Sequence, residues 1–130
     1  MAGRNPSPMA VVTPTATAAD TRARMIGRGV TQVSVNTVTT DANDWITLPS
    51  LNTVPDGHRI LILCNAGGNF ELRTPASSGE EINSEDCDGT KEYLCTDTEL
   101  LWVHKVNNTI GWEAHAYSQI GAAVTAVVPD

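Results

Sequence analysis

His58, His104 and His115 are the chain's three imidazoles, and each falls in a different strand-like stretch. A nucleophilic triad needs a serine or cysteine on a sharp turn with a base in reach. No G-x-S-x-G, no HExxH and no phosphate-cradling glycine loop occurs. Residues 65–69 (NAGGN) supply two glycines but no lysine behind them. The three histidines are therefore expected to stand apart as ordinary strand or surface residues. Cys64, Cys87 and Cys95 are an odd number and lack CxxC or CxxxH spacing, so neither a zinc site nor a redox pair is indicated. Reduced thiols are expected, with a Cys87–Cys95 bridge across a hairpin as the unsupported alternative.

The carboxylates cluster more tightly. Residues 76–90 (ASSGEEINSEDCDGT) hold Glu80, Glu81, Glu85, Asp86 and Asp88, and Asp97 and Glu99 follow a strand later. Asp86-x-Asp88-Gly89 matches part of a calcium loop, but a third ligand at position five and a glutamate at twelve are missing. A solvated loop, or a carboxylate face that meets a partner's arginines, is the reading adopted. Trp45, Trp102 and Trp112 with Tyr93 and Tyr117 could stack on a sugar or base. At 5% aromatics, however, a core of this size claims most of them. No catalytic residue, cofactor or metal is assigned, and the chain is read as non-enzymatic.

At 130 residues with 41% hydrophobic composition, one ordinary domain is expected. No apolar run approaches the roughly 20 residues of a bilayer span. Residues 1–12 lack the apolar segment of a secretory signal, so a cytoplasmic site of synthesis is expected. The net charge of -7 is unevenly spread. Residues 1–30 carry Arg4, Arg22, Arg24 and Arg28 against Asp20 alone, a balance of +3. The rest carries four basic residues against fourteen carboxylates, a balance of -10. That split predicts an arm and a body.

Residues 1–29 have three prolines and few large apolar groups, too little to offset the entropy of ordering. They are read as a flexible basic arm that orders against a partner, with residues 30–130 as the body. The arm's arginines suit bidentate pairing to an acidic protein surface. Nucleic acid is disfavoured as a partner, because the acidic body would repel it.

Within the body the period is that of strands. Val33 and Val35 alternate with polar residues, as do Phe70, Leu72 and Thr74. Residues 59–64 (RILILC) are apolar throughout and predict a central strand buried on both faces. Pro55-Asp56-Gly57 marks a turn, and Asn107-Asn108 predicts a two-residue hairpin. Trp112, Ala114 and Ala116 should share a face, and Ile82 should pin the acidic loop. Seven or eight short strands indicate an all-β fold, an antiparallel sandwich or barrel-like body with an extended N-terminal arm. The small apolar tail, with Ala122, Val124, Ala126 and Val128, is the candidate subunit interface.

Several segments follow one another in a familiar order: residues 46–50 (ITLPS), 60–65 (ILILCN), 70–77 (FELRTPAS), Ile82-Asn83, Asp88-Gly89, 110–113 (IGWE) and Gly121-Ala122. In this order the chain resembles small virion proteins of tailed bacteriophages, in particular head decoration (cement) and fibre-type domains. The likeness covers about 85 residues, in a style of strand and turn and not a catalytic signature. It implies an all-β homotrimer on the outer capsid surface, bound to the major capsid protein, with the arm tying neighbours together. The runner-up it implies is a tail-fibre or baseplate module that binds a host-surface glycan through exposed Trp and the acidic loop. Neither a membrane nor nucleic acid is an expected partner.

Overall fold

The structure is a computed structural model that describes residues 9–12, 25–35, 45–64, 68–89, 91–118 and 122. Among these residues, ten strands and one short 3-10 turn follow in chain order: β1 (Met9–Val12), β2 (Gln32–Val35), β3 (Trp45–Thr47), the turn Leu51–Thr53, β4 (Arg59–Cys64), β5 (Phe70–Arg73), β6 (Glu81–Ile82), β7 (Glu85–Asp86), β8 (Tyr93–Cys95), β9 (Leu100–Asn107) and β10 (Gly111–Tyr117). They form a seven-stranded sheet in the order β1-β2-β4-β9-β10-β6-β7 and a three-stranded sheet in the order β3-β5-β8. The fold is all-β. Its ladders are mixed where antiparallel pairing alone was expected: β1–β2, β2–β4, β10–β6 and β3–β5 run parallel.

The alternation read from the sequence becomes the wall of a single core. Val33 and Val35 of β2, Ile60 and Ile62 of β4, Leu101 and Val103 of β9, and Trp112 and Ala114 of β10 point inward from the large sheet. Ile46, Phe70, Leu72, Tyr93 and Cys95 meet them from the small one. Strand β4 is central, between β2 and β9, but it is not covered on both faces. Leu61 and Leu63 are only half-buried, because nothing among the described residues packs over the outer face of the large sheet there.

The acidic segment is more ordered than a loop. Its Ile82 is fully buried and pairs in parallel with Trp112, as the pinning reading required. Asn83 then works as a surrogate backbone. Its side chain donates to Ala114 O at 3.2 Å and accepts from Ala114 N at 2.9 Å. Asn83 and Ser84 both take positive φ, at 52° and 67°, which makes the two-residue turn between β6 and β7.

Two boundaries differ from expectation. Ile26 belongs to the core, 1% exposed, and its N–H donates to Thr47 O at 2.9 Å. Packing therefore starts before residue 30. Residues 9–12 of the expected arm add in parallel to β2 as the sheet's edge strand. The β9–β10 connection also exceeds two residues. Asn107 ends β9, and its Oδ1 accepts from Thr109 N and Ile110 N, both at 2.8 Å. The turn occupies residues 108–110, and a bulge follows between Gly111 and Trp112.

Candidate functional site

Strand parity decides which side chains the large sheet offers to a partner. With Val103 and Ala114 turned inward, the neighbouring His104, Trp102, Glu113 and His115 face outward on β9 and β10. The register sets Glu113 opposite His104 and His115 opposite Trp102. On the other flank of β9, Arg59 pairs with His104 and Leu61 with Trp102. Trp102 is 40% exposed and, with Arg59 and His104, lines an open cleft of about 280 Å³. The expectation that the histidines stand apart is overturned for two of them. The His104 and His115 rings stack with centroids 5.7 Å apart and planes 14° from parallel. Both Nε2 atoms approach Glu113 Oε2, at 3.2 and 3.8 Å. The longer turn is the cause: a two-residue turn would have set His104 opposite Gly111 and Glu113 opposite Trp102, where the observed register puts Glu113 directly opposite His104.

A second depression of about 280 Å³ opens over the small sheet, walled by Met25, Trp45, Arg73, Pro75 and Ala76, with Asp88 among its lining. Arg73 is fixed there from three sides. Its Nη2 donates to Glu71 Oε2 at 2.6 Å and to Glu92 Oε1 at 2.8 Å, and its Cζ lies 4.3 Å from the Trp45 ring centroid. Such a cation–π contact and ion-pair network rigidify a floor. Met25, half exposed, offers an apolar flank. The groove can receive an apolar side chain beside a charged rim.

The aromatic residues do not gather into a stacking platform, and the core claims two of them. Trp112 and Tyr93 are core residues, Tyr117 is half-buried, and Trp45 and Trp102 stand on different sheets. The acidic loop's carboxylates serve the backbone around them. Glu80 Oε1 accepts from Ser50 Oγ and Leu51 N at 3.0 Å each. Asp88 Oδ2 accepts from Gly79 N at 3.1 Å and Asp86 Oδ1 from Asp88 N at 3.2 Å, while Glu85 pairs with Lys91.

All three cysteines are free and buried. Desolvation, with Asp86, Glu92 and Glu85 nearby, pushes the Cys87 thiol up to about 12. Burial and the neighbouring Cys64 hold Cys95 well above its ordinary value. Neither is poised as a thiolate nucleophile. Lys105 was invisible as a buried residue because lysine reads as solvent-facing. Its side chain turns inward on β9, and Nζ donates to Leu51 O and Val54 O at 2.7 and 2.8 Å and pairs with Asp56 at 3.2 Å. It thereby ties the 3-10 turn and the Pro55-Asp56-Gly57 corner to the sheet.

Of the residues assigned to the capsid-binding arm, Arg28 is exposed on a turn, and Arg4, Arg22 and Arg24 lie outside the described residues. Of the tail residues, Ala122 is exposed and its carbonyl accepts from Ser118 N at 2.9 Å. Val124, Ala126 and Val128 lie outside the described residues. No family model matches the chain, and neither a curated protein nor a solved structure is similar to it.

Proposed function

We propose that this chain is a structural virion protein of a tailed bacteriophage, attached to the outer capsid surface as a decoration, or cement, protein. The observation that carries the reading is the leader strand at the sheet's margin. Residues 9–12 pair in parallel with β2, and among the described residues β1 ends the strand order on that side. A leader that adds to a sheet edge in this way has the chemistry to add to a neighbour's edge instead. Its basic charge suits an acidic protein surface, here the major capsid protein. In a homotrimer three leaders act together, so weak single attachments sum to high occupancy through effective concentration. Binding the assembled shell and not unfolded capsid protein then stabilises the shell by mass action. The burial of all three thiols fits a stabilising protein better than a catalyst.

The runner-up is a fibre or baseplate module that binds a glycan, and the exposed Trp102 beside Arg59 favours it. Gold-labelled antibody against the chain, imaged on intact particles, separates the two. Label over the whole head is the outcome expected of a decoration protein. Label confined to one vertex would transfer the chain to the tail, and unlabelled particles would end both readings.

A further inference from the structure

We propose that His104, Glu113 and His115 form a surface binding site for a divalent transition-metal ion of the Zn²⁺, Ni²⁺ or Cu²⁺ type. The proposal does not depend on the virion reading. One ligand atom from each of the three residues lies within 4.8 Å of the other two. Tetrahedral zinc, with bonds of about 2.0–2.2 Å, holds its ligand atoms about 3.3 Å apart. His104 Nε2 and Glu113 Oε2 already stand at 3.2 Å. His115 Nε2 stands 3.8 Å from the same oxygen, and with all three ligand atoms within 4.8 Å of one another, side-chain rotation of up to about 1.5 Å brings them to zinc spacing. The side chains are 33%, 46% and 54% exposed for His104, Glu113 and His115, so each has a solvent-facing side from which an ion can approach.

The backbone supplies the preorganisation. Glu113 and His115 are two residues apart on β10 and so share a face, while His104 is the register partner of Glu113 on β9. Stacking keeps the two imidazoles nearly parallel, with both Nε2 atoms turned to one carboxylate. Two imidazoles and one carboxylate select a borderline transition metal over Ca²⁺ or Mg²⁺, which prefer all-oxygen shells. Three protein ligands leave at least one coordination position open to water. The acidic body attracts a cation. Arg59, the register partner of His104 on β4, opposes it, but Arg59 is solvent-exposed and its charge is screened.

The test is titration of Zn²⁺ into the tag-free full chain at neutral pH, read by calorimetry and by the imidazole ring ¹⁵N resonances. One ion per chain is expected, with the His104 and His115 rings shifting together and Mg²⁺ leaving them unmoved. His115→Ala and Glu113→Gln should each weaken binding by at least about tenfold while leaving the far-ultraviolet dichroism unchanged. Cu²⁺ should quench the emission of Trp102, the register partner of His115, and Trp102→Phe should remove that quenching. Ring resonances unmoved by Zn²⁺ would overturn the site, as would undiminished affinity in His115→Ala. Binding by Mg²⁺ of equal strength would reduce it to diffuse charge attraction and refute the assignment.

Discussion

Cys87 and Cys95 show what burial does to single groups in this molecule. A thiol that is uncharged in the fold but ionises near its ordinary value of 9.0 once unfolded makes stability depend on pH. Below pH 9 both states hold the proton and the fold keeps the full contribution. Between pH 9 and about 12, the value for Cys87, the unfolded chain loses a proton that the native one retains. Stability must therefore fall as pH rises through that window, and Tyr93, pushed by burial to about 12, adds to the fall above pH 10. Urea midpoints measured from pH 7 to 11 should decline beyond pH 9; a flat profile would contradict the burial. In parallel, a disulfide reagent at pH 8 should modify no thiol of the native protein and all three in denaturant.

At the scale of elements, Gly111 is the joint that lets β10 pass β6. It holds φ at +87°, and a Cβ there would come within 2.5 Å of the Glu81 carbonyl oxygen. Gly111→Ala combines that backbone clash with left-handed strain and should cost about 3 kcal/mol, read as a lowered urea midpoint. A cost below about 0.5 kcal/mol would show that β6 does not lie where described. The inward positions of β2, β5 and β10 were legible in the sequence, because a half-buried strand writes its pattern in alternate residues; β4, apolar throughout, read as covered on both faces, and its alternation shows only in the fold. Parallel partners such as β3 and β5 were not, since nothing local in Trp45–Thr47 encodes a neighbour from residues 70–73. The His104–Glu113–His115 cluster was lost through one turn. Asn107-Asn108 reads as a hairpin corner, but the Asn107 side chain caps the following amides and lengthens the connection. Two residues of register hid the cluster. The E-x-H spacing on β10 was the available signal, and it becomes informative only once the opposite strand is in register.

The whole molecule is a two-sheet body with unequal margins. One margin of the large sheet ends in β7, two residues long and made of Glu85 and Asp86, a short charged edge that resists further strand pairing. The other ends in β1, drawn from the cationic leader. If the chain decorates a shell as proposed, attachment exchanges the β1–β2 edge for one on the capsid. Ile26 sets where the leader can be cut, because its burial and its bond to Thr47 make it part of the body. The most direct measurement is cosedimentation of shells with the full chain and with residues 25–130, each first shown to have the same near-ultraviolet dichroism. The full chain should saturate the shells, and the truncated body should stay in the supernatant. Normal occupancy by residues 25–130 would contradict attachment through the leader.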